Sequence, residues 1–379
     1  MGKVLCVIDH FGSGGAQRQL VELACGLQYR GHDVQVFVYF PQYDFLRGRL
    51  DAVGIPVHPF SKGQGFSLGV IRALARFLHA GRFDAVVSFL DRPNLYAELA
   101  TRLAGSKTRL VVSERSHRQH DGNRHAAALR RVLHVFADAV VANSHTHAQW
   151  LRTRPFLAEK VHCVYNGVDL SLFTNANPSA PASPKDVRLL AIGRVGPEKN
   201  ALTVFHALKM HHERYGWTPT LSWVGRRDET NVGLAYGRQI DEALAAYPPV
   251  AKAWHWLGER QDVPQLLAQH HALLHASLYE GLPNAVCEAF AAARPVLASA
   301  VCDHPRLVEA PARGWLFNPT DPASLLAAIE AMHRVVSWRW LTMGEAARTF
   351  AYEALSATRM VQQFEMLLGL TPSCIVDDR

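Results

Sequence analysis

The chain has 379 residues, 49% of them hydrophobic and 19% charged, with a formal net charge of +7. That length exceeds the usual size of one core, so two domains are expected, and the composition is that of an ordinary soluble globular protein. No apolar run reaches the uninterrupted length of a transmembrane helix. Six scattered cysteines (6, 25, 163, 287, 302, 374) with no Cys-x-x-Cys pair favour a reducing cytoplasm over a disulfide framework.

The chain opens with Met1-Gly-Lys-Val-Leu-Cys-Val-Ile-Asp-His, a short apolar run closed by an acid. It reads as a first strand, not a signal peptide. Strands are expected at 4–8, 34–39, 85–89, 110–113, 139–142 and 161–164, with helical spacing at 17–27 and 70–78 between them. This rhythm predicts a parallel sheet with helices on both faces. Residues 174–186 hold Asn175-Ala-Asn-Pro-Ser-Ala-Pro-Ala-Ser-Pro-Lys-Asp, without hydrophobic period, and read as a linker. A second series follows, with strands at 189–192, 220–224, 253–257, 272–275, 296–299 and 314–317. Its helices are expected at 201–212, 263–269, 285–293 and 322–333. The fold class is therefore α/β, with two doubly wound, Rossmann-like domains at 1–173 and 187–350. A helix within 351–370 is expected to pack back on the first. Ligands in such sheets bind beyond the strand carboxyl ends, so a cleft between the domains is expected.

The positive charge is uneven. Residues 1–170 carry 21 Lys and Arg against 13 Asp and Glu, whereas residues 171–379 carry 19 against 20. Arg72, Arg76 and Arg82 fall along one expected helix and Arg124, Arg130 and Arg131 along another. A solvated face and an attraction to anionic headgroups or a lipid phosphate both fit this pattern. Nucleic acid does not fit, because no aromatic-basic interleaving or nucleic-acid motif occurs.

Three segments carry chemistry. Phe11-Gly-Ser-Gly-Gly-Ala-Gln-Arg follows the first strand, and its glycines let backbone amides approach a phosphate. It is not a Gly-x-Gly-x-x-Gly fingerprint, since Gln17 stands at the third glycine. Gly193-Arg-Val-Gly-Pro-Glu-Lys199 opens the second domain with two cations that suit a diphosphate. Glu280-Gly-Leu-Pro-Asn-Ala-Val-Cys-Glu288 sets two carboxylates around a turn and a helix start, with Asn284 as expected N-cap. A carboxylate accepts hydrogen bonds from sugar or ribose hydroxyls, and the helix start offers N–H groups to an anion.

The order Gly14-Gly15, Asn166-Gly-Val-Asp169, Gly193-Arg194…Lys199, Val224-Gly225, Leu257-Gly258…Asp262-Val263, Ser277…Glu280-Gly-Leu-Pro-Asn…Glu288 resembles the retaining glycosyltransferase family 4, over nearly the whole chain. The resemblance implies a GT-B fold and transfer of a sugar from a nucleotide-sugar donor, with a UDP-sugar favoured and a GDP-sugar the alternative. Arg194 and Lys199 would hold the diphosphate. Glu280 would face the donor sugar, Glu288 the ribose, and the backbone of Gly281, Leu282, Pro283 and Asn284 the sugar and phosphate. Gly193 and Gly225 would belong to the donor site, Gly258 to Val263 would meet the base, and Gly14 and Gly15 would form the phosphate- and acceptor-facing loop. His117, in Ser113-Glu-Arg-Ser-His117, falls where relatives place a histidine at the donor sugar, with Arg115 and Arg118 as alternatives.

The sequence departs from the family in two places. The small Gly-Asp-Gly-like turn is replaced by Gly225-Arg226-Arg227-Asp228, and Cys302-Asp-His-Pro lacks a glycine pair. No Asp-x-Asp and no metal-site spacing of His and Cys occurs. The expectation is thus a metal-independent enzyme without cofactor. Its implied acceptor is a glycan or a polyprenyl-diphosphate-linked glycan in surface polysaccharide or glycoconjugate biosynthesis. Its expected place is the cytoplasm, peripheral at the inner membrane face through the basic N-domain. A GT-B nucleotide-sugar epimerase and a non-catalytic nucleotide-sugar-binding paralogue are the alternatives.

Overall fold

The computed structural model describes residues 1–105, 107–115 and 132–371. The chain divides into two compact units, Met1–Gly167 with Ser356–Arg379, and Val168–Leu355.

The first unit is built on a seven-stranded sheet. Its strands are β1 (Lys3–Ile8), β2 (Asp33–Val38), β3 (Val57–Pro59), β4 (Ala85–Phe89), β5 (Arg109–Glu114), β6 (Ala139–Ala142) and β7 (Val161–Cys163), in the order β3-β2-β1-β4-β5-β6-β7. All pairings are parallel. A parallel strand is covered on both faces, which is why β1 reads as a continuous apolar run. Val4, Cys6 and Ile8 pack with Leu20, Val21 and Leu23 of helix Gly15–Tyr29. Leu5 and Val7 face the opposite layer, with Val70, Leu74 and Leu78 of helix Leu68–Gly81 and Ala97 of helix Asp91–Ala104.

The second unit has six strands, β8 (Arg188–Ile192), β9 (Thr220–Val224), β10 (Trp254–Gly258), β11 (Ala272–His275), β12 (Val296–Ser299) and β13 (Gly314–Phe317). Their order is β10-β9-β8-β11-β12-β13, again all parallel. After β8 the chain builds outward to β9 and β10, then returns to the other side of β8 with β11. The order reverses between β8 and β11, and such a switch point leaves a crevice beyond the strand carboxyl ends.

The crossing between units differs from the sequence expectation. The chain passes from the first unit to the second at Gly167–Val168, so residues 174–186 lie inside the second unit. Ala176 is buried there, and the Arg294 guanidinium donates to Ser179 Oγ at 2.7 Å. Proline and serine kept the stretch aperiodic, yet it is packed. At the other end, residues 351–354 finish helix Ser337–Ala354 of the second unit, and helix Ala357–Leu367 belongs to the first. Met360, Val361 and Phe364 enter the core beneath β1, and Glu365 receives Arg30 at 2.8 Å and meets His32 Nε2 at 2.8 Å.

β3 was not anticipated. Three residues ending in an exposed proline, with Val57 half-buried, carry little periodic signal. Helix Asp91–Ala104 was also missed, because its buried face includes Asn94, Glu98 and Thr101. Asn284 corrects a third point. It is the first helical residue of Asn284–Ala291, and the cap position falls on Pro283, whose extended backbone (φ −77, ψ 112) presents its carbonyl to the amides of Val286 and Cys287. Proline has no side-chain acceptor, so this helix start has no side-chain cap.

Candidate active site

Adjacency of β8 and β11 creates the site. Leu190 lies beside Leu273 in register, so the loops after both strands leave the sheet side by side. Gly193-Arg-Val-Gly-Pro-Glu-Lys199 follows β8 and Ser277-Leu-Tyr-Glu280 follows β11. The Leu278 amide donates to the Glu198 carbonyl at 2.9 Å and laces the two loops together. Lys199 and Glu280 thereby meet across 81 residues of sequence, with the Lys199 ammonium donating to Glu280 Oε1.

Glu280 Oε1 is a convergence point. Ser277 Oγ donates to it at 2.7 Å, and His275 Nε2 lies 3.1 Å away. The Glu280 side chain keeps 16% exposure, and its Oε2 takes no protein hydrogen bond among the described residues. Burial pushes this carboxyl up, but Lys199 and His275 outweigh it and hold the group well below the usual carboxylate range. Glu280 is thus an anion with one oxygen committed to the protein and one without a protein hydrogen bond among the described residues. His275 is pushed below the ordinary histidine value by burial, against the pull of Glu280, and is neutral near pH 7.

Three glycines line the neighbouring strand ends. A Cβ on Gly225 would meet the Gly193 carbonyl oxygen at 2.1 Å, and Gly225 has a φ of +148. The Gly193 amide donates to the Val224 carbonyl at 2.8 Å, and the Gly225 amide donates to the Gly258 carbonyl at 2.8 Å. The exits of β8, β9 and β10 are therefore fused backbone to backbone. Only glycine permits that approach at Gly225.

Arg194 is 43% exposed and donates to Glu198 at 2.8 Å, with Asp228 at 3.7 Å. Its hydrogen bond to Glu198 raises its pKa further, so it is a permanent cation. It borders a cavity of about 300 Å³ whose other lining residues are Arg226, Arg227, Asp228, Glu229 and Thr230. The two arginines that depart from the family turn differ in kind. Both are exposed, but Arg227 pairs with Asp241 through two 2.8 Å bonds and lies over the Trp256 ring at 5.1 Å, whereas the charge of Arg226 acts on Asp228.

The remaining expected residues fall as follows. Leu282 is buried, and Gly281, Asn284 and Glu288 are half-buried around the start of helix Asn284–Ala291. Val263 opens helix Val263–Gln269 after Asp262, which Arg260 holds through bonds of 2.8 and 2.6 Å. Gly14 and Gly15 begin helix Gly15–Tyr29 in the first unit. There a Cβ on Gly14 would strike Gln17 Oε1 at 2.2 Å, and Gln17 donates to Asp9 at 3.0 Å. His117 lies outside the described residues. Arg115 is buried over the Phe89 ring at 3.8 Å and donates to Asn166 at 2.5 Å. It links β5 to the Asn166-Gly-Val-Asp169 motif, and burial lowers its pKa to about 9. Among the described residues no group of three or more His, Cys, Asp or Glu side chains is placed to hold a metal ion, and no helix is long and apolar enough to cross a membrane.

Sequence reasoning missed His275, Cys302 and His304. The one signal was a histidine closing the otherwise apolar strand Ala272-Leu-Leu-His275, at the carboxyl end where ligands bind. Cys302 Sγ accepts the Glu280 amide at 3.4 Å, and the His304 ring stands 5.2 Å from that of His275 at 80°. The segment that lacks the glycine pair is therefore the backing of Glu280.

The family model described as Glycosyltransferase Family 4 matches residues 13–172, and that described as Glycosyl transferases group 1 matches residues 186–334. The chain belongs to the glycosyltransferase family 4 type. It is 25% identical to the Campylobacter jejuni GalNAc-alpha-(1->4)-GalNAc-alpha-(1->3)-diNAcBac-PP-undecaprenol alpha-1,4-N-acetyl-D-galactosaminyltransferase, over 76% of each chain. It is 23% identical to the Escherichia coli UDP-Gal:alpha-D-GlcNAc-diphosphoundecaprenol alpha-1,3-galactosyltransferase, over 68% of each. Among solved structures, Anabaena HepE in complex with UDP and glucose superposes with a TM-score of 0.81 at 20% identity, covering 97% of this chain and 100% of that one. A glycosyltransferase from Rickettsia africae superposes at 0.83 and 17% identity, covering 98% and 99%. These likenesses establish the GT-B fold, two parallel Rossmann-like sheets, and the protein is a glycosyltransferase of that type.

Proposed function

We propose that this glycosyltransferase moves a hexosyl or N-acetylhexosaminyl group from a UDP-sugar to a polyprenyl-diphosphate-linked glycan, with retention at the anomeric carbon. The observation that carries the reading is the Lys199–Glu280 pair at the β8/β11 switch point, with Arg194 on the same loop as Lys199 and Glu280 Oε2 without a protein hydrogen bond among the described residues. Two relatives named for PP-undecaprenol or diphosphoundecaprenol substrates, one of them for UDP-Gal, support the donor and acceptor classes.

In this mechanism the diphosphate sits against Lys199 and the exposed fork of Arg194, which spends one of its five donors on Glu198. Glu280 Oε2 accepts from a donor-sugar hydroxyl and places a fixed negative charge near the oxocarbenium-like centre. The bond from the anomeric carbon to the β-phosphate oxygen breaks, and the acceptor hydroxyl bonds to the same face. The departing phosphate takes the acceptor proton. No enzyme nucleophile and no resident metal are required, since Lys199 and Arg194 meet the developing charge. Glu288 holds the ribose hydroxyls, and Gly258 to Val263 contact the base. His117 is proposed to touch the donor sugar. The basic excess of residues 1–170 supports peripheral contact with an anionic membrane that carries the acceptor, at the inner face of the cytoplasmic membrane.

Calorimetric titration with UDP and GDP, followed by product analysis with each UDP-sugar and a diphosphoprenyl-linked glycan, tests the proposal. Binding of UDP and an alpha-linked product from an alpha-linked donor are expected. Inversion at the anomeric carbon, or complete dependence on added magnesium or manganese, overturns the mechanism.

A further inference from the structure

Glu280 is held from three sides by residues that the transfer reading leaves without a role. Ser277 Oγ donates to Oε1 at 2.7 Å, so the Ser277 proton is committed to the carboxylate. His275 Nε2 then lies 3.1 Å from the same Oε1 and 3.2 Å from Ser277 Oγ, and both of these oxygens face it with lone pairs. Only an N–H at Nε2 satisfies that arrangement. A lone pair there would oppose two oxygens in a site where the imidazole is 3% exposed. His275 cannot swing away, because its backbone is fixed in β11 and its ring packs edge-on against His304. The His304 ring is itself anchored through Nδ1, which donates to the Ser299 carbonyl at 2.7 Å. The Glu280 main chain is fixed as well, through its amide to Cys302 Sγ at 3.4 Å.

We propose that His275 is a positioning residue for sugar transfer: as the neutral Nε2–H tautomer it pins Glu280 Oε1, so that Oε2 alone meets the donor sugar. The inference rests on the transfer reading above. The consequence is rotational. Lys199 is a flexible cation that also serves the diphosphate, and Ser277 is a single rotatable hydroxyl. His275 is the rigid member of the trio. Without it the carboxylate plane swings about the Cγ–Cδ bond, and neither oxygen is held in place at the sugar. A misplacement of that size lowers turnover while leaving nucleotide affinity in place.

The test compares three substitutions in the full chain. Glutamine carries its amide nitrogen near the level of imidazole Nε2, asparagine carries it near Nδ1, and leucine carries none. H275L and H275N are expected to lose about tenfold to a hundredfold in kcat, with the KM for the donor and the UDP affinity by calorimetry within about threefold of wild type. H275Q is expected to recover most of the loss. Equal kcat per folded enzyme in all three overturns the proposal, as does a loss shared by H275Q that follows their melting temperatures. A second readout does not need turnover: in a histidine-labelled sample near neutral pH, the nitrogen signals missing from H275Q should be those of an Nε2–H tautomer. An Nδ1–H tautomer or an imidazolium there overturns it. A wild type that binds UDP and shows the Nε2–H signals but transfers no sugar points instead to failure of the transfer reading.

Discussion

Lys199 and Glu280 come together because β8 and β11 are neighbours, although two strands and four α-helices intervene in the chain. The pair keeps the Glu280 carboxyl ionised. In the proposed mechanism it also sets an ammonium against the leaving diphosphate.

The glycine stack gives the first prediction. Gly225→Ala adds a Cβ 2.1 Å from the Gly193 oxygen at a backbone angle that alanine rarely adopts. It should destabilise the protein by about 2 kcal/mol or more, measured by denaturant unfolding. Gly216→Ala is the control: its φ is also positive, at +73, but a Cβ there meets nothing within 4 Å. The smaller loss expected in the control isolates the clash from the backbone strain.

Glu365 tests the return of the chain to its first unit. Its side chain is 2% exposed between Arg30 and His32. Glu365→Ala leaves those groups without their acid and should cost about 3 kcal/mol in denaturant unfolding. UDP affinity by calorimetry should be unchanged in the protein that remains folded, because the residues proposed to hold the diphosphate, ribose and base (Arg194, Lys199, Glu288 and Gly258 to Val263) lie in the other unit.

A buried network behind β5 predicts a pH dependence. His134 lies between Glu98 at 2.5 Å and Glu114 at 2.9 Å, and Glu114 also meets His147 at 2.9 Å. Burial alone would lower the His134 pKa, but Glu114 and Glu98 outweigh it and raise it to about 10. A raised histidine stabilises the fold fully below its unfolded pKa of about 6.5 and loses that contribution as pH climbs through the folded value. The stability gap between wild type and His134→Gln should therefore be widest below about pH 6.5 and shrink toward pH 10. A gap that is flat across this range contradicts the assignment.

The charge asymmetry predicts salt-sensitive lipid binding. Co-sedimentation with phosphatidylglycerol vesicles should be strong at low salt and largely lost at about 0.5 M, where screening acts within a few ångströms. Neutral phosphatidylcholine vesicles should not bind. Failure to bind the anionic vesicles at low salt removes the membrane component of the proposal.

Much of the fold was legible because parallel strands buried on both faces are short apolar runs. β4, β6, β9, β11, β12 and β13 fall at the bounds that the apolar runs mark. Helix Asp91–Ala104 escaped because it buries Asn94 and Glu98 for hydrogen bonds and ion pairs, which breaks the apolar stripe. In the site, the residue types at Arg194, Lys199, Glu280 and Glu288 were readable from their motifs. What sequence could not supply was pairing across the sheet. That Lys199 touches Glu280 depends on strand order, and that His275 touches it depends on the side to which one strand-end side chain turns. Arg226 and Arg227 looked equivalent in sequence, and only Trp256 and Asp241 distinguish them.

Whether Lys199 and Glu280 form the transfer centre is read from the rate of sugar transfer from a UDP-sugar to a diphosphoprenyl-linked glycan, measured for wild type, Lys199→Ala and Glu280→Ala. Each variant should fold and transfer at least about a hundredfold more slowly, corresponding to about 3 kcal/mol of lost charge stabilisation. Transfer by both variants at the wild-type rate would contradict the account.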